Sequence, residues 1–391
     1  MFSRILFVLL ATILVGVGCG KKKDEKAGEN GTQPAMSLDL QSGSNLYDLM
    51  ARHSRAVVSP QPWAGYWWPY VGQGIASTWR DGSGMSPADK YDAAYKIFLE
   101  SRGANTAEYK SMAAWERTRH GPGLANVESW WGHCNGWAAA SLMVPEPTAP
   151  KVINGIRFEV RDLKAILSES WMEFSGDFVG NRVNAPGDTG SAAYWDIAPA
   201  QFHLLLAHKV GRQNRGLILD RHTGHEIWNQ PLVAYKFEPI TPDDYLGAHP
   251  SFPEIHRVNV TAKIWWANDN VAPDMTTGAF NMEESEFTSN QYFPRRDAPF
   301  HGRKLRYELW LDAPAEFDEA GNLIRSGDIL ITEEDGRYVG GVWKNGSHGS
   351  INAHPDYMWM PHGIQHSSGY KNPRLDDAWV REYIGTPHHG S

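Results

Sequence analysis

The sequence predicts an α+β fold, with helices gathered in the first half and an antiparallel sheet in the second. Two patterns predict it. Up to Gly211, segments of helical periodicity recur with clear start and stop signals. From Gly216 the pattern changes to β-branched and aromatic runs punctuated by turn residues. Composition sets the bounds. The 391 residues are 41% hydrophobic and 21% charged, enough to bury a core and too apolar for a disordered chain. The 37 basic and 45 acidic side chains leave a net charge of −8 and no basic block, which argues against a nucleic-acid partner.

In chain order, the first element is an export signal. Arg4 precedes an apolar run from Ile5 to Val17, too short for a comfortable membrane span. It ends in small residues before Cys19, the pattern of a bacterial lipoprotein signal, so residues 1–19 are expected to be removed or lipidated, with the lipid on Cys19. Residues 20–37 are charged and glycine-containing and read as a flexible tether. The folded part is expected over 38–391, with 38–125 as its helical N-terminal portion. Helices are predicted from Ser86 to Ser101, from Ser111 to Arg119, from Asp162 to Phe174, and from Pro199 to Val210 with a stop at Gly211. The aromatic loop Trp63 to Tyr70 reads as core or as a substrate-lining surface. Strands are expected over 216–220, 226–237, 257–266, 304–311, 328–332 and 338–343, with a turn at Asp318 to Asn322.

The chain has only two cysteines. With Cys19 assigned to the signal, Cys134 is the sole thiol of the folded part, which excludes an internal disulfide and leaves an inert buried thiol or a reactive one. Its surroundings favour reactivity. Trp131-Gly132-His133-Cys134-Asn135-Gly136-Trp137 breaks structure on the left, and Trp137 to Met143 favours helix on the right. Cys134 is therefore expected at a helix N-terminus, where the dipole favours a thiolate and first-turn N–H groups can hold an oxyanion. Gly132 and Gly136 would let a substrate approach the backbone.

A thiolate nucleophile wants a histidine base and a polar group to orient it. Of 16 histidines, His225 opens a strand five residues after Asp220, its candidate orienting group. His354 opens an apparent strand, His354 to Trp359, although Asp356 is too close in sequence to face it. His203 lies in a helix and ranks behind these two; His301 falls in a loop before a strand. The pairs at His362/His366 and His388/His389 suggest no more than adventitious metal binding.

The residues also carry a resemblance. The stretch from Glu226 to Glu238, with Trp228-Asn229-Gln230-Pro231 inside it, resembles the elicitor peptide of the oomycete transglutaminase elicitors, cell-wall glycoproteins detected by plants. Trp131 to Ala138 is similar to that family's cysteine segment. Val144-Pro-Glu-Pro147, Asn154 to Phe158, Phe202-His203, Gly340 to Trp343 and His354 to Trp359 are similar to further segments, in the same order. The resemblance implies a papain-like, transglutaminase-like core and protein-glutamine γ-glutamyl transfer: the Cys134 thiolate attacks a glutamine amide, ammonia leaves, and a lysine amine takes the acyl group. It implies protein partners with accessible Gln and Lys; membrane contact is expected only through the lipid anchor read from the signal segment, in which the chain departs from the oomycete proteins. By position it makes Trp131, Trp137, Trp228 and Pro231 substrate-binding, with Trp228 and Pro231 on an exposed segment. Calcium is the cofactor it brings in, although no Asp-rich EF-hand loop is present. Two alternatives stay open: a cysteine peptidase or amidase with water as acceptor, and a non-catalytic surface protein with a Trp-rich binding face.

Overall fold

The computed structural model describes residues 44–79, 84–124, 127–180, 197–221, 226–283, 298–334, 337–344, 354–365 and 371–388. The chain begins with helix α1 (Leu46–His53) and strand β1 (Arg55–Val57). Helices α2 (Pro87–Ser101), α3 (Met112–Arg119) and α4 (Cys134–Met143) follow. A small hairpin, β2 (Lys151–Ile153) and β3 (Ile156–Phe158), leads to helix α5 (Val160–Ser170) and strand β4 (Phe174–Gly180). Helix α6 (Pro199–Leu204) continues as a π-helical segment, Leu205–Arg212.

The sheet comes next: β5 (Ile218–Asp220), β6 (Asn229–Phe237), β7 (Tyr245–Ala248), β8 (His256–Ala267) and β9 (Phe300–Leu311). Short strands β10 (Glu316–Phe317) and β11 (Leu323–Arg325) pair, as do β12 (Thr332–Glu334) and β13 (Arg337–Val339). Strands β14 (Val342–Trp343) and β15 (Tyr357–Ile364) and helix α7 (Asp377–Tyr383) complete the order.

The helix starts follow from local chemistry. Ser86 caps α2 in a capping box with Asp89, and Pro87 takes the first helical position, where its missing N–H costs nothing. Ser111 caps α3. The carboxylate of Asp92, in the middle of α2, accepts from the backbone N–H groups of Met112 and Ala113 at 2.8 and 3.0 Å. One helix therefore satisfies the N-terminal amides of the next, which fixes their packing. The predicted stop at Gly211 is overrun by one residue. Gly211 packs against the Tyr235 hydroxyl, where a side chain would not fit.

Among the described residues, nine strands join in one antiparallel sheet ordered β14-β9-β8-β6-β5-β15-β4, with β1 added to β6 and β7 to β8. The register runs Asp220 opposite Asn229 and Met358 opposite Leu219, so the end of β5 and the starts of β6 and β15 meet at one end of the sheet. The sheet is strongly curled. Trp343 of β14 stacks at 4.5 Å on His354, just before β15, and donates from Nε1 to Ile197 O, although β14 and β15 lie towards opposite ends of the strand order. Helix α4, apolar on every side and wholly buried, lies between α5 and β6. At Gly136 a Cβ would run into the carbonyl of Ser168 on α5, so this glycine serves close helix packing and not substrate approach.

The N-terminal portion is sewn into this core. β1 pairs with β6, and the buried Lys164 of α5 donates to Glu146 at 2.6 Å, to Ala64 O at 2.9 Å and to Met275 O at 2.7 Å. Within the aromatic loop, Trp63, Trp68 and Tyr70 are core, and Tyr66 and Trp67 are half-buried.

Candidate active site

Cys134 is the first residue of α4, as its flanking residues predict. The loop before it is held by the aromatic loop. Tyr70 N donates to Trp131 O at 2.8 Å, His133 N donates to Trp67 O at 2.6 Å, and Pro69 bridges Gly132. Gly132 lies so close to the Trp67 ring and to the Trp67 and Trp68 carbonyls that a Cβ would collide. It too is a packing glycine, not an opening for substrate. Trp68 adopts φ 47°, a left-handed conformation that costs a non-glycine residue about 1 kcal/mol. That strain turns its carbonyl towards His133 Nδ1, 3.2 Å away.

The thiol meets the sheet. Cys134 is 1% exposed, and its Sγ–H donates to Ile227 O at 3.8 Å. Next to Ile227, the backbone N–H of Trp228 donates to Asp220 Oδ1 at 2.9 Å. Asn229 follows, its Oδ1 accepting from Tyr357 Oη at 3.1 Å and Trp359 Nε1 at 2.9 Å. The structure thus brings Cys134, Asp220 and the start of β6 to the sheet end where β15 begins. Trp228 is half-buried, packs edge-on against Trp67 at 5.5 Å, and carries the Arg221 guanidinium over its ring at 5.0 Å.

His225 and Cys19 lie outside the described residues. His354 is buried against Trp343, and its Nδ1 faces Pro355 O at 3.2 Å; burial, with the Arg303 charge nearby, pushes its imidazole down to about 4. His203 is a core residue, its Nδ1 2.8 Å from Tyr307 Oη and its ring stacked on Phe237; burial pushes it down to about 3. His301 stands within β9 opposite Trp266, not in a loop. Trp137 is fully buried against Gly65, and Trp131 is buried as well, so packing rather than substrate contact explains both. The Trp228 to Pro231 segment, expected to be exposed, enters a central strand: Asn229, Gln230 and Pro231 are buried, and Trp228 is half-buried.

Sequence reasoning missed a charged cluster behind the Cys134 helix. His133 Nε2 lies 2.7 Å from Glu169 Oε2 and 3.9 Å from Glu116 Oε2, all three side chains buried. His120 Nδ1 meets Glu116 Oε2 at 2.8 Å. Burial alone would lower the His133 pKa, but the Glu169 hydrogen bond and the two carboxylate charges raise it above the ordinary value. Burial raises Glu169, reinforced by Glu116. Nothing local marks this set in the sequence, because Glu169 and Glu116 come from other helices.

A family model matches residues 104–248, the stretch from the approach to α3 through Cys134 to β7, and it is that of the transglutaminase elicitors. This segment is similar to the transglutaminase elicitor family. No curated protein matches the chain. Among solved structures, the crystal structure of the GP42 transglutaminase from Phytophthora sojae is similar, with a TM-score of 0.55 and 21% identity over 87% of this chain and 92% of that one. At that identity the likeness concerns the fold: mixed helices and a large antiparallel sheet, shared with a transglutaminase.

Proposed function

We propose that the chain is a protein-glutamine γ-glutamyltransferase with Cys134 as nucleophile, on a papain-like arrangement of a cysteine helix against an antiparallel sheet. The observation that carries the reading is the placement of Cys134 at the N-terminus of α4 with its thiol against Ile227 O, at the sheet end that holds Asp220. The thiol passes its proton to a histidine. The thiolate adds to the side-chain carbonyl carbon of a glutamine, and first-turn N–H groups of α4 face the developing oxyanion. The histidine proton leaves with ammonia, giving a thioester. A lysine amine then displaces the thiol and forms the isopeptide.

For the base we favour His225, which stands two residues before Ile227 in the chain and five after Asp220. His354 is the second choice, since an imidazole held near 4 is a weak base at neutral pH. Trp228 and Trp67 supply an aromatic rim for the acyl donor. Export on the residue 1–19 signal with a lipid on Cys19 would place the enzyme on a bacterial envelope; among the described residues no helix is long and apolar enough to cross a membrane.

The test is incorporation of a fluorescent primary amine into casein, with and without calcium, beside Cys134→Ala. Incorporation that vanishes in the variant is the expected result. Cys134-dependent ammonia release or cleavage without incorporation moves the assignment to a cysteine amidase or peptidase. One observation favours a non-catalytic binding protein instead, the 1% exposure of Cys134. A thiol that resists iodoacetamide, with no turnover of either kind, would establish that reading.

A further inference from the structure

We propose that Glu116, His133 and Glu169 form a binding site for one divalent transition-metal ion of the zinc class, directly behind the helix that carries Cys134. One ligand atom from each, Glu116 Oε2, His133 Nε2 and Glu169 Oε2, converges so that all lie within 4.8 Å of one another. They come from α3, the residue capping α4, and α5, so an ion here ties three helices together.

The hydrogen bonds around the cluster orient it inward. Trp68 O can only accept, so the His133 Nδ1 that faces it at 3.2 Å carries the hydrogen, and in a neutral ring Nε2 presents its lone pair. Nε2 stands 2.7 Å from Glu169 Oε2, where either a proton on the ring or an ion held by both ligand atoms supplies the positive charge between the two acceptors. Asn372 holds the outer oxygens: its backbone N–H donates to Glu169 Oε1 at 2.5 Å and its Nδ2 to Glu116 Oε1 at 2.8 Å. The inner oxygens, Glu169 Oε2 and Glu116 Oε2, face His133 Nε2 at 2.7 and 3.9 Å, and Glu116 Oε2 also meets His120 Nδ1 at 2.8 Å. A backbone carbonyl on the far nitrogen of a histidine and donors on the far oxygens of carboxylates are what metal ligands require of their surroundings.

Space is kept as well. Gly74, at φ 55°, borders the cluster, and a Cβ there would stand 2.7 Å from His133 Cε1 and 3.1 Å from Glu116 Oε2. The donor set selects the ion. One imidazole nitrogen with two carboxylate oxygens suits zinc, manganese or cobalt, whereas calcium takes six to eight oxygens. The site is distinct from the thiol, which faces Ile227 on the sheet side. Its role is to hold the loop and helix start that place Cys134.

The experiment is metal analysis of the purified full chain after separate loading with Zn2+, Mn2+ and Co2+ and removal of excess. One equivalent of Zn2+ or Co2+ is expected, retained in Cys134→Ala and reduced at least tenfold in Glu169→Gln. The cobalt form reports on the wild type alone, so a variant that fails to fold does not decide the matter: its visible bands should indicate nitrogen and oxygen ligation with no thiolate charge-transfer band in the near ultraviolet. Less than a tenth of an equivalent of all three ions in the wild type overturns the site and leaves a proton between His133 and Glu169. A thiolate band, loss of metal in Cys134→Ala, or full retention in Glu169→Gln also overturns it.

Discussion

At the scale of the residue, the start of β6 decides how the sheet presents itself to the cysteine. Asn229 is fully buried and its Oδ1 collects two donors, Tyr357 Oη and Trp359 Nε1, both from β15. Replacing it with leucine keeps the γ-branched shape but strands a buried hydroxyl and a buried indole N–H. Each unsatisfied group costs about 1–3 kcal/mol, so Asn229→Leu should lose roughly 2–6 kcal/mol by urea unfolding. Asp220 differs, because it serves the backbone. Its Oδ1 accepts the Trp228 N–H, which fixes the residue next to the carbonyl on the thiol. Asp220→Ala should cost about 1–3 kcal/mol of stability and lower amine incorporation at least tenfold in the protein that remains folded. Equal losses in Asn229→Leu and Asp220→Ala, once corrected for folded fraction, would reduce Asp220 to a structural residue.

At the scale of the element, the buried pair between α5 and the loop after α4 shows what ties the N-terminal portion down. Lys164 is buried, and burial lowers its pKa against the pull of Glu146. Lys164→Met removes a cation that satisfies one carboxylate and two carbonyls, and breaking a buried pair from one side costs about 3–5 kcal/mol. The double variant with Glu146→Gln should recover part of that loss in thermal melts, and no recovery would mean that the carbonyls carry the effect. Elements with local signals were legible in the sequence. Ser86 with Pro87, Ser111, and the glycine-flanked Cys134 each marked a helix start within a residue. The strand 328–332 was not: Ile329 makes only an isolated bridge to Leu311, and pairing begins at Thr332. Nor was the burial of Asn229 and Gln230 legible, because polar residues in a central strand look like a surface segment until the strands on both sides are known. The Glu116, His133 and Glu169 set was hidden for the same reason, being assembled only by helix packing.

At the scale of the whole molecule, two buried histidines make stability depend on acid. His354, stacked on Trp343, is held at about 4, and His203, stacked on Phe237, at about 3, both mainly by burial. In the unfolded chain each titrates near the ordinary 6.5. Between 6.5 and 4 the unfolded chain therefore binds protons that the folded one refuses. Stability is complete above pH 6.5 and falls as the pH drops through that window, by up to about 1.4 kcal/mol per unit for each histidine. From pH 7 to pH 5 the pair should remove roughly 4 kcal/mol. The buried carboxyl of Asp269, raised by burial, acts with the opposite sign near the lower end. A comparison within one variant isolates the histidine. His354→Phe keeps the stack on Trp343 and removes the titrating group, so its loss of stability between pH 7 and pH 5 should be about 2 kcal/mol smaller than that of the wild type. Urea midpoints at the two pH values measure it. An unchanged difference would show that His354 accepts its proton in the folded state, as a working general base exposed to substrate must, and would return it to the front rank beside His225.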